Sequence, residues 1–382
     1  MIQVPREAFS ATFDRMNVLR RSVTAACAAL LATALTVTLA AVPQSRAFTP
    51  VSPSGIDVSS HQHAAGVGVD WRRVAADGQR YAFIKATEGT GYVNEHFLPD
   101  VHAAHAAGMV IGTYHYARPS RDARTQAAHY ATALAALPQN SLPPVLDIEV
   151  DEGLSAPELQ NWVREFVTEI EALTGRRPMI YTYRYFWAEH MGNTTEFSNY
   201  PLWLAAYQNT APEPVGGWSH LTFWQRSDAG TVAGVSGPVD LNLFNGSEPQ
   251  LHRFVAGNHV NLGAAVADGF RIPDDTAGLA DLEILGADNS VLANVILAAA
   301  AGAVAIPVIV AVAEELGFDA SVARPLAEQI GAQIESGQLP VADLERMAAT
   351  GDYTIGDLLI LLDNVDLTAV EATVRAAAAA NA

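Results

Sequence analysis

The sequence predicts an α/β barrel followed by a small all-α region, and three observations support this fold class. Short apolar segments alternate with helical patterns across residues 48–250, and alanine-rich helical patterns follow in residues 251–382. Strands that alternate with helices pair in parallel through right-handed crossovers. Eight strands in about 195 residues fit a (β/α) barrel whose last connections hold little helix. A doubly wound open sheet is the alternative, but no Gly-x-Gly-x-x-Gly motif follows a strand to support its usual nucleotide-binding function.

Eight segments have the length and apolar character of strands. They are Gly55–Ser59, Tyr81–Lys85, Val110–Tyr116, Pro144–Glu149, Pro178–Tyr183, Leu202–Ala206, Leu221–Gln225 and Val239–Leu243. Apolar residues at helical spacing predict four helices, which fill the first four gaps between strands. They are Trp71–Gln79, Glu95–Ala107, Arg121–Leu137 and Ala156–Thr174.

Residues 1–47 predict a secretory signal peptide. Arg20-Arg21 precede the uncharged run Ser22–Val42, and Ser45-Arg46-Ala47 has the small-x-small form of a cleavage site. We therefore expect a protein that is secreted or located at the cell wall, with an uncleaved membrane anchor as the alternative. Cys27 is the one cysteine of the chain and lies in this segment, so the mature chain has no disulfide and no cysteine-based zinc site.

The charge of the chain argues against nucleic acid as a partner. There are 22 basic and 41 acidic residues, which give a formal charge of −19, and Lys85 is the one lysine. Removing residues 1–47, with 5 basic and 2 acidic residues, leaves 17 basic and 39 acidic ones and a charge of −22. A protein that tracks phosphates needs a basic face, which this composition does not favour. We expect the chain to act as a monomer.

Residues 251–382 form an acidic, alanine-rich region whose role the sequence does not reveal. The region holds 5 basic and 18 acidic residues. Its run Val291–Ala313 has 23 residues without a charge, enough at about 1.5 Å per residue to span a bilayer. Asn294 and Pro307 interrupt the run and no arginine cluster flanks it. We favour a buried helical hairpin broken near Pro307, with membrane contact or anchoring through residues 291–313 as the alternative.

The most informative stretch is Pro143–Val150, in which Asp147 and Glu149 stand near the end of a predicted strand. Side chains alternate along a strand, so both carboxyl groups point to one face, at the barrel mouth where active sites of such barrels lie. Two carboxyl groups this close do not ionise independently, so one pKa rises and that group can supply a proton near neutral pH. Glycoside hydrolysis needs one carboxylic acid and one carboxylate.

Other chemistry-bearing side chains lie at or next to further strand ends. Asp57 ends the first strand, Glu88 follows the second and Asp240 opens the last, while Lys85 is a candidate partner for Glu88 or Asp57. Tyr and Trp side chains, which can stack on sugar rings, lie on the same segments. They are Tyr114, Tyr116, Tyr181, Tyr183, Trp203, Tyr207 and Trp224. The combination predicts a carbohydrate cleft lined with carboxylates. A turn role for Asp240 and a plain core role for each aromatic are the alternatives.

A metal hydrolase is a further hypothesis, which the strands argue against. His61-Gln62-His63 follows the first strand and could provide zinc ligands, but the fifth and sixth strands offer no further ligand. His115 faces opposite to Tyr114, so we expect it to be packed or hydrogen-bonded. The sequence has no Gly-x-Ser-x-Gly elbow for nucleophilic serine chemistry. We expect neither a metal nor an organic cofactor.

With these residues identified, the segment resembles the glycoside hydrolase family 25 lysozymes, the N-acetylmuramidases of the Chalaropsis type. The resemblance covers about residues 54–248 and depends on eight motifs in chain order. They are Gly55-Ile56-Asp57-Val58-Ser59, Phe83-Ile84-Lys85-Ala86-Thr87-Glu88-Gly89, Gly112-Thr113-Tyr114-His115-Tyr116, Leu146-Asp147-Ile148-Glu149, Ile180-Tyr181-Thr182, Leu202-Trp203-Leu204-Ala205-Ala206-Tyr207, Phe223-Trp224-Gln225 and Val239-Asp240-Leu241-Asn242. The resemblance implies an irregular barrel of five β/α units and three closing strands.

The resemblance also implies hydrolysis of the β-1,4 bond between N-acetylmuramic acid and N-acetylglucosamine in peptidoglycan. By carry-over, Glu149 would be the general acid and Asp147 would stabilise the sugar cation or oxazolinium ion. Asp57, Glu88 and Asp240 would line the same acidic pocket. The nucleophile is either a carboxylate or the N-acetyl group of the substrate, and we favour substrate assistance.

Three rival functions stay open at this point, and one of them is a membrane-anchored protein whose barrel serves mainly for recognition. A chitinase-like barrel glycosidase also ends a strand in Asp-x-Glu, but it usually carries aspartates where this chain has Val145 and Leu142. A catalytically silent cell-wall glycan-binding module would keep the cleft without the chemistry. No cell-wall-binding repeat is recognisable in residues 251–382, so the resemblance does not extend to this region.

Overall fold

The computed structural model describes residue 48, residues 52–257 and residues 282–365. The strands are β1 (Ser54–Val58), β2 (Tyr81–Glu88), β3 (Tyr92–Val93), β4 (Val110–Tyr116), β5 (Pro144–Asp147), β6 (Met179–Tyr183), β7 (Leu202–Ala205), β8 (Phe223–Gly230) and β9 (Val239–Phe244). Besides a 3-10 helix at Ser60–Gly66, the helices are α1 (Trp71–Ala76), α2 (Phe97–Ala106), α3 (Ala123–Leu134), α4 (Ala156–Thr174), α5 (Arg184–Glu189), α6 (Glu248–Val255), α7 (Leu282–Leu285), α8 (Ser290–Ala300), α9 (Pro307–Leu316), α10 (Ala320–Ser336), α11 (Val341–Thr350) and α12 (Ile355–Asp363). The predicted signal peptide lies outside the described residues.

The strands close into an irregular barrel. β1, β2, β4, β5, β6, β7 and β8 pair in parallel, and β9 runs antiparallel between β8 and β1. β3 is a short strand that pairs with the end of β2. Helices α1 to α5 follow the first five barrel strands, whereas β7, β8 and β9 succeed one another without a helix. The predicted fold class, a barrel of five β/α units and three closing strands followed by helices, is confirmed.

The antiparallel direction of β9 determines which of its ends reaches the barrel mouth. Parallel strands end at the mouth, so a strand that runs the other way begins there. Asp240, at the start of β9, pairs in register with Asp57 near the end of β1. The reversal of this one strand therefore brings two acids from opposite ends of the barrel sequence side by side.

Aromatic side chains fill the barrel below the mouth. The ring centroids of Phe83 and Trp203 lie 4.2 Å apart, and those of Phe83 and Phe223 lie 5.1 Å apart. Gly112 makes room for this packing, because a Cβ at that position would lie 2.3 Å from the Phe83 ring. Truncating Phe83 to alanine would cost about 3–5 kcal/mol of stability, since the neighbouring rings cannot collapse into the space. The floor of the barrel is thus a packed core, and the open space lies at the mouth.

Several strand ends differ from the predicted bounds, and the differences at β5 and β8 concern the mouth. β5 ends at Asp147, so Glu149 lies beyond the strand, although the Ile148 N–H still donates to the Tyr181 carbonyl at 3.0 Å. β8 continues to Gly230, with register shifts after Gln225. Such bulges re-aim side chains, and here Asp228 joins the lining of the mouth.

The C-terminal part, residues 282–365, is built from helices α7 to α12. The uncharged run is divided between α8, which ends at Ala300, and α9, which begins at Pro307. Proline suits the first turn of a helix because its missing N–H would have no partner there. The run thus forms two helices with the break just before Pro307. Among the described helices, none is long and apolar enough to cross a membrane.

This helical part packs against the mouth of the barrel. Gly356 of α12 approaches the Tyr207 backbone so closely that a Cβ would lie 2.3 Å from the carbonyl oxygen. The Tyr353 hydroxyl donates to Glu189 Oε1 at 2.5 Å. As a result, the C-terminal end of α12 lies at the rim of the site described next.

Candidate active site

The ends of the barrel strands surround a cleft of about 450 Å³. Strand residues, loop residues and the end of α12 line it together. The lining includes Asp57, His61, Lys85, Tyr114, Tyr116, Asp147, Glu149, Tyr181, Trp203, Tyr207, Gln225, Asp228, Asp240, Ile360, Asp363 and Asn364. The structure thus brings the four carboxyl groups singled out as catalytic candidates, Asp57, Asp147, Glu149 and Asp240, into one cleft.

Asp147 and Glu149, which we name the β5 pair, share a proton at neutral pH. Burial raises the pKa of Glu149 to about 7, against hydrogen bonds from Asn364 and Asp147 that lower it. Burial and then the negative charge of Glu149 raise the pKa of Asp147 well above its usual range. Since the two groups are close enough to hydrogen-bond to each other, ionising both would place two negative charges in contact. The pair therefore provides one acid and one carboxylate, and while Asn364 donates to Glu149 the proton lies on Asp147.

Asp57 and Asp240, which we name the β1/β9 pair, form a second carboxyl pair in the same cleft. Burial raises the pKa of Asp57, and burial together with the Asp57 charge raises the pKa of Asp240 well above its usual range. Asp57 Oδ2 accepts hydrogen bonds from Asn242 Nδ2 at 2.7 Å and Gln225 Nε2 at 3.0 Å. Because both amides stabilise the charged form of Asp57, the proton of this pair resides on Asp240.

Two aromatic donors fix the orientation of these amides. The Tyr181 hydroxyl donates to Gln225 Oε1 at 2.8 Å, and the Trp203 indole N–H donates to Asn242 Oδ1 at 2.8 Å. With its oxygen engaged, each amide must direct its NH₂ group at Asp57. Gln225 and Asn242 stand inside two of the quoted motifs, with no role predicted for them. A signal was available, because each is a polar residue within a largely apolar strand segment.

Glu88 acts on the cleft through Lys85. Its Oε2 accepts from Lys85 Nζ at 2.6 Å, and its Oε1 accepts from Arg118 Nη2 at 2.6 Å. Burial raises the pKa of Glu88, but the two cations outweigh burial and hold it below the usual range. The Lys85 ammonium, which also lies 4.7 Å from the centroid of the Tyr116 ring, is thereby held at the cleft wall. Glu88 itself is not among the described lining residues, contrary to the expectation that it lines the acidic pocket, and we assign it as a positioning residue.

Of the seven aromatic residues named for the cleft, five line it, and Tyr183 and Trp224 do not. Tyr114, Tyr181, Trp203 and Tyr207 line the cleft. Trp224 is fully buried elsewhere, where its indole N–H donates to the Ala206 carbonyl at 2.7 Å. Side chains alternate along β8, so Gln225 points into the barrel and its neighbour Trp224 points away from it. We therefore remove Trp224 from the substrate-binding residues and assign it to the core.

His63 and His115 take structural positions, whereas His61 does not. His63 is buried with its Nε2 2.7 Å from Asp100 Oδ2, while His61 lines the cleft. In the part of the chain that the structure describes, no group of His, Cys, Asp and Glu has a metal-binding arrangement. His115 is hydrogen-bonded to Gln126 at 3.0 Å, and burial lowers its pKa to about 4, so the ring is neutral.

Known proteins resemble this chain over its barrel. Residues 56–235 match the family model described as Glycosyl hydrolases family 25. Lysozyme M1 of Streptomyces globisporus is 35% identical over 223 residues, which are 56% of this chain and 76% of that protein. The N,O-diacetylmuramidase of Chalaropsis sp is 34% identical over 217 residues, 53% of this chain and 99% of that protein. The chain belongs to glycosyl hydrolase family 25.

A solved relative of this family 25 hydrolase has a similar barrel. The bacterial lysozyme from Streptomyces coelicolor is 35% identical, with a TM-score of 0.50, and the match covers 54% of this chain and 98% of that one. Family membership makes this chain a glycoside hydrolase. Because about half of this chain matches almost all of that lysozyme, much of the remainder has no counterpart there.

Proposed function

We propose that this family 25 hydrolase is an N-acetylmuramidase that cleaves the β-1,4 bond between N-acetylmuramic acid and N-acetylglucosamine in peptidoglycan. The observation that carries the proposal is the β5 pair, an acid and a carboxylate in contact at the mouth of the barrel. The relatives named lysozyme and N,O-diacetylmuramidase support this choice of bond.

Glu149 is the proposed general acid. It lies beyond the end of β5 and lines the cleft, whereas Asp147 is more deeply buried and only 4% exposed. With its pKa raised to about 7, Glu149 can take the proton of the β5 pair near neutral pH and release it in the transition state. The proton goes to the glycosidic oxygen of N-acetylglucosamine, which leaves with the electron pair of the bond to the muramic acid C1.

Asp147 is the proposed stabiliser in a substrate-assisted route. The β5 pair is in hydrogen-bond contact, much closer than the ~5–5.5 Å that separates acid and nucleophile in ordinary retaining glycosidases. Oδ1 of Asp147 is buried without a hydrogen-bond partner among the described residues. This oxygen can accept the N–H of the substrate's N-acetyl group, whose carbonyl oxygen then attacks C1. Water opens the resulting oxazolinium ion, with Glu149 now accepting a proton.

The remaining cleft residues bind and balance charge. Asp57, kept ionised by its two amide donors, places a second negative charge near the developing sugar cation, and Asp240 holds the proton of that pair. Lys85 limits the total negative charge next to the β5 pair. The aromatic faces of Tyr114, Tyr181, Trp203 and Tyr207 provide surfaces for sugar rings.

We also propose that the chain is exported, with residues 1–47 as a cleaved signal peptide before a barrel domain at 48–250 and a helical region at 251–382. Its substrate lies outside the cytoplasmic membrane, which is consistent with export. The mass of the protein recovered from culture medium tests this: we expect a chain that starts at Phe48. Recovery of the intact chain from the membrane fraction alone would contradict export.

Digestion of purified peptidoglycan tests the proposed activity. The wild-type chain is compared with Glu149→Gln and with Glu213→Gln, a matched change at an exposed loop residue between β7 and β8. We expect wild type and Glu213→Gln to release fragments with N-acetylmuramic acid at the reducing end, and Glu149→Gln to lose at least about a hundredfold in rate.

Three other outcomes would each overturn part of the proposal. N-acetylglucosamine at the reducing end would make the enzyme a glucosaminidase. Full activity of Glu149→Gln would remove Glu149 from the acid role. Binding of peptidoglycan without cleavage by a folded wild-type chain would make the barrel a glycan-binding module.

A further inference from the structure

The end of α12 contributes to the cleft from outside the barrel. Ile360, Asp363 and Asn364 line the cleft together with the carboxyl pairs. The Asn364 side chain donates from Nδ2 to Glu149 Oε2 at 3.1 Å, a contact between residues 215 positions apart in the chain. A helical region appended to a hydrolase barrel thus reaches the residue that we assign as its general acid.

We propose that the C-terminal helical region, residues 282–365, is an inhibitory cover of the catalytic cleft that Asn364 fastens to Glu149. The inference rests on the proposed role of Glu149 as the general acid. In the covered state the enzyme holds its acid in an unproductive arrangement. Displacement of the α12 end admits the glycan strand and frees the acid.

The Asn364 contact opposes catalysis in two ways. A general acid must come within about 2.6–3.2 Å of the oxygen that it protonates, and Asn364 Nδ2 occupies that position at Oε2 of Glu149. An amide N–H can only donate, so the contact stabilises the ionised carboxylate. An ionised Glu149 has no proton to give to a leaving group.

A second contact joins the cover to the barrel on the other side of the cleft. Asp363 of α12 and Asp228 of β8 hydrogen-bond to each other. Gln329 of α10 donates to Asp363 Oδ1 at 3.0 Å, which favours the ionised form of Asp363 and leaves the proton on Asp228. Two carboxyl groups in contact attract each other only while they share a proton. This contact therefore holds the cover only while Asp228 is protonated.

A third contact anchors the cover away from the cleft. Asp343 of α11 accepts from the Tyr185 hydroxyl at 2.9 Å and lies 3.2 Å from His190 Nε2. On its other side, His190 Nδ1 lies 2.7 Å from Asp151 Oδ2. Burial lowers the pKa of His190, but the two carboxylates outweigh it and raise the pKa to about 9, so the ring is positively charged. None of these four residues is part of the described cleft lining.

The Streptomyces coelicolor lysozyme supports a regulatory role over a chemical one. Almost the whole of that chain, 98%, is matched by 54% of this one. A lysozyme of the family therefore exists at about the length of the barrel alone. The cover is thus an addition to the unit that makes up almost the whole of that crystallised chain.

Point variants of the full chain test the cover. Asn364→Ala removes the fastening at the acid, and Asp343→Ala weakens the distant anchor without touching the cleft. Asp352→Ala is the matched control, since Asp352 is exposed on the same region. We expect kcat/KM on insoluble peptidoglycan to rise roughly tenfold for Asn364→Ala, the size of one hydrogen bond to a charged group. We expect a smaller rise for Asp343→Ala and no change for Asp352→Ala.

Chemical labelling of Glu149 gives a readout that needs no substrate. A water-soluble carbodiimide couples glycine ethyl ester to accessible, protonated carboxyl groups, and peptide masses report the extent at each residue. We expect Glu149 to label faster in Asn364→Ala and in Asp343→Ala than in wild type. The Asp352→Ala chain is expected to label Glu149 at the wild-type rate.

The two readouts together separate the inference from the proposed function. Faster labelling with unchanged or slower cleavage in both variants would overturn the inhibitory role and make Asn364 part of the working site. Unchanged labelling in both variants would show that the region does not cover Glu149. Faster labelling in a chain that never cleaves peptidoglycan would support the cover and contradict the muramidase proposal.

Discussion

The β5 pair and the β1/β9 pair differ in which part of the molecule provides the amide groups that hydrogen-bond to them. Asp57 receives two amide donors, Gln225 and Asn242, and both lie on strands of the barrel itself. Glu149 receives one amide donor, Asn364, and this residue follows a helix outside the barrel. One pair is therefore held by the fold that forms the cleft, and the other is held by the helical region that we propose as a displaceable cover.

This difference indicates how the protonation states of four carboxyl groups in one cleft can be set separately. Amide donors on barrel strands favour charge on Asp57 and a proton on Asp240. The proton of the β5 pair, which the reaction consumes and restores, responds to the presence of the Asn364 amide. We interpret the β1/β9 pair as a constant charge and the β5 pair as an adjustable acid.

The largest effect is expected from Asp147→Asn. The change removes the charge that faces the developing cation and the acceptor for the N-acetyl N–H, so we expect kcat on peptidoglycan to fall about a thousandfold. Asp352→Asn, at an exposed position, serves as the control. A loss below tenfold would assign Asp147 to a structural role.

Removing an amide donor is expected to act in opposite directions at the two pairs. Gln225→Ala frees Asp57 to take the proton from Asp240, and we expect roughly a tenfold loss of kcat/KM on peptidoglycan. Asn364→Ala is expected to raise the same quantity. If both variants lose activity to the same degree, the distinction between a fixed and an adjustable pair is wrong.

The pH dependence of kcat/KM sharpens the comparison. Glu149 must be protonated in the free enzyme, so activity falls as the pH rises through its pKa of about 7. Asn364 stabilises the ionised form of Glu149. Asn364→Ala is therefore expected to raise the pKa of Glu149 and to move the falling limb of the kcat/KM profile to higher pH. Gln225→Ala leaves this limb in place. A limb that moves to lower pH in Asn364→Ala would contradict the assignment.

The smallest effect concerns stability at the β1/β9 pair. Between the ordinary pKa of 3.8 and its raised pKa in the folded chain, Asp240 holds a proton that the unfolded chain releases, so its contribution to stability falls as the pH rises. Asp240→Asn keeps a donor to Asp57 and removes this dependence. We expect its Tm at pH 8 to exceed that of wild type by about 2 °C, with a smaller gap at pH 5. A lower Tm at both pH values would show that the acid stabilises the fold.

Local patterns in the sequence were enough to predict the barrel and most of the cleft. Apolar runs and helical spacing gave every barrel strand, and alternation placed Asp147 at the mouth. The assignment of Trp224 to the cleft was wrong because the parity of β8 becomes clear only when Gln225 is seen bonded to Asp57. The Asp57–Asp240 contact requires the antiparallel direction of β9, which a strand pattern does not encode.

The contribution of the helical region to the cleft was also not predictable, and the reason there is a different one. Asn364 and Glu149 are separated by 215 positions. Periodicity within α12 predicts an apolar face but not the surface that it covers. Contacts such as the packing of Gly356 against the Tyr207 backbone and the Asp343 anchor place the end of the helix at the cleft.

The most direct test of the adjustable acid is a titration of Glu149 by NMR. The chain is labelled with ¹³C at glutamate side-chain carboxyl carbons, and the Glu149→Gln chain identifies the resonance. The account predicts a midpoint near pH 7 in wild type, against an ordinary pKa of 4.5, and a higher midpoint in Asn364→Ala. A midpoint near 4.5 that Asn364→Ala leaves unchanged would contradict it.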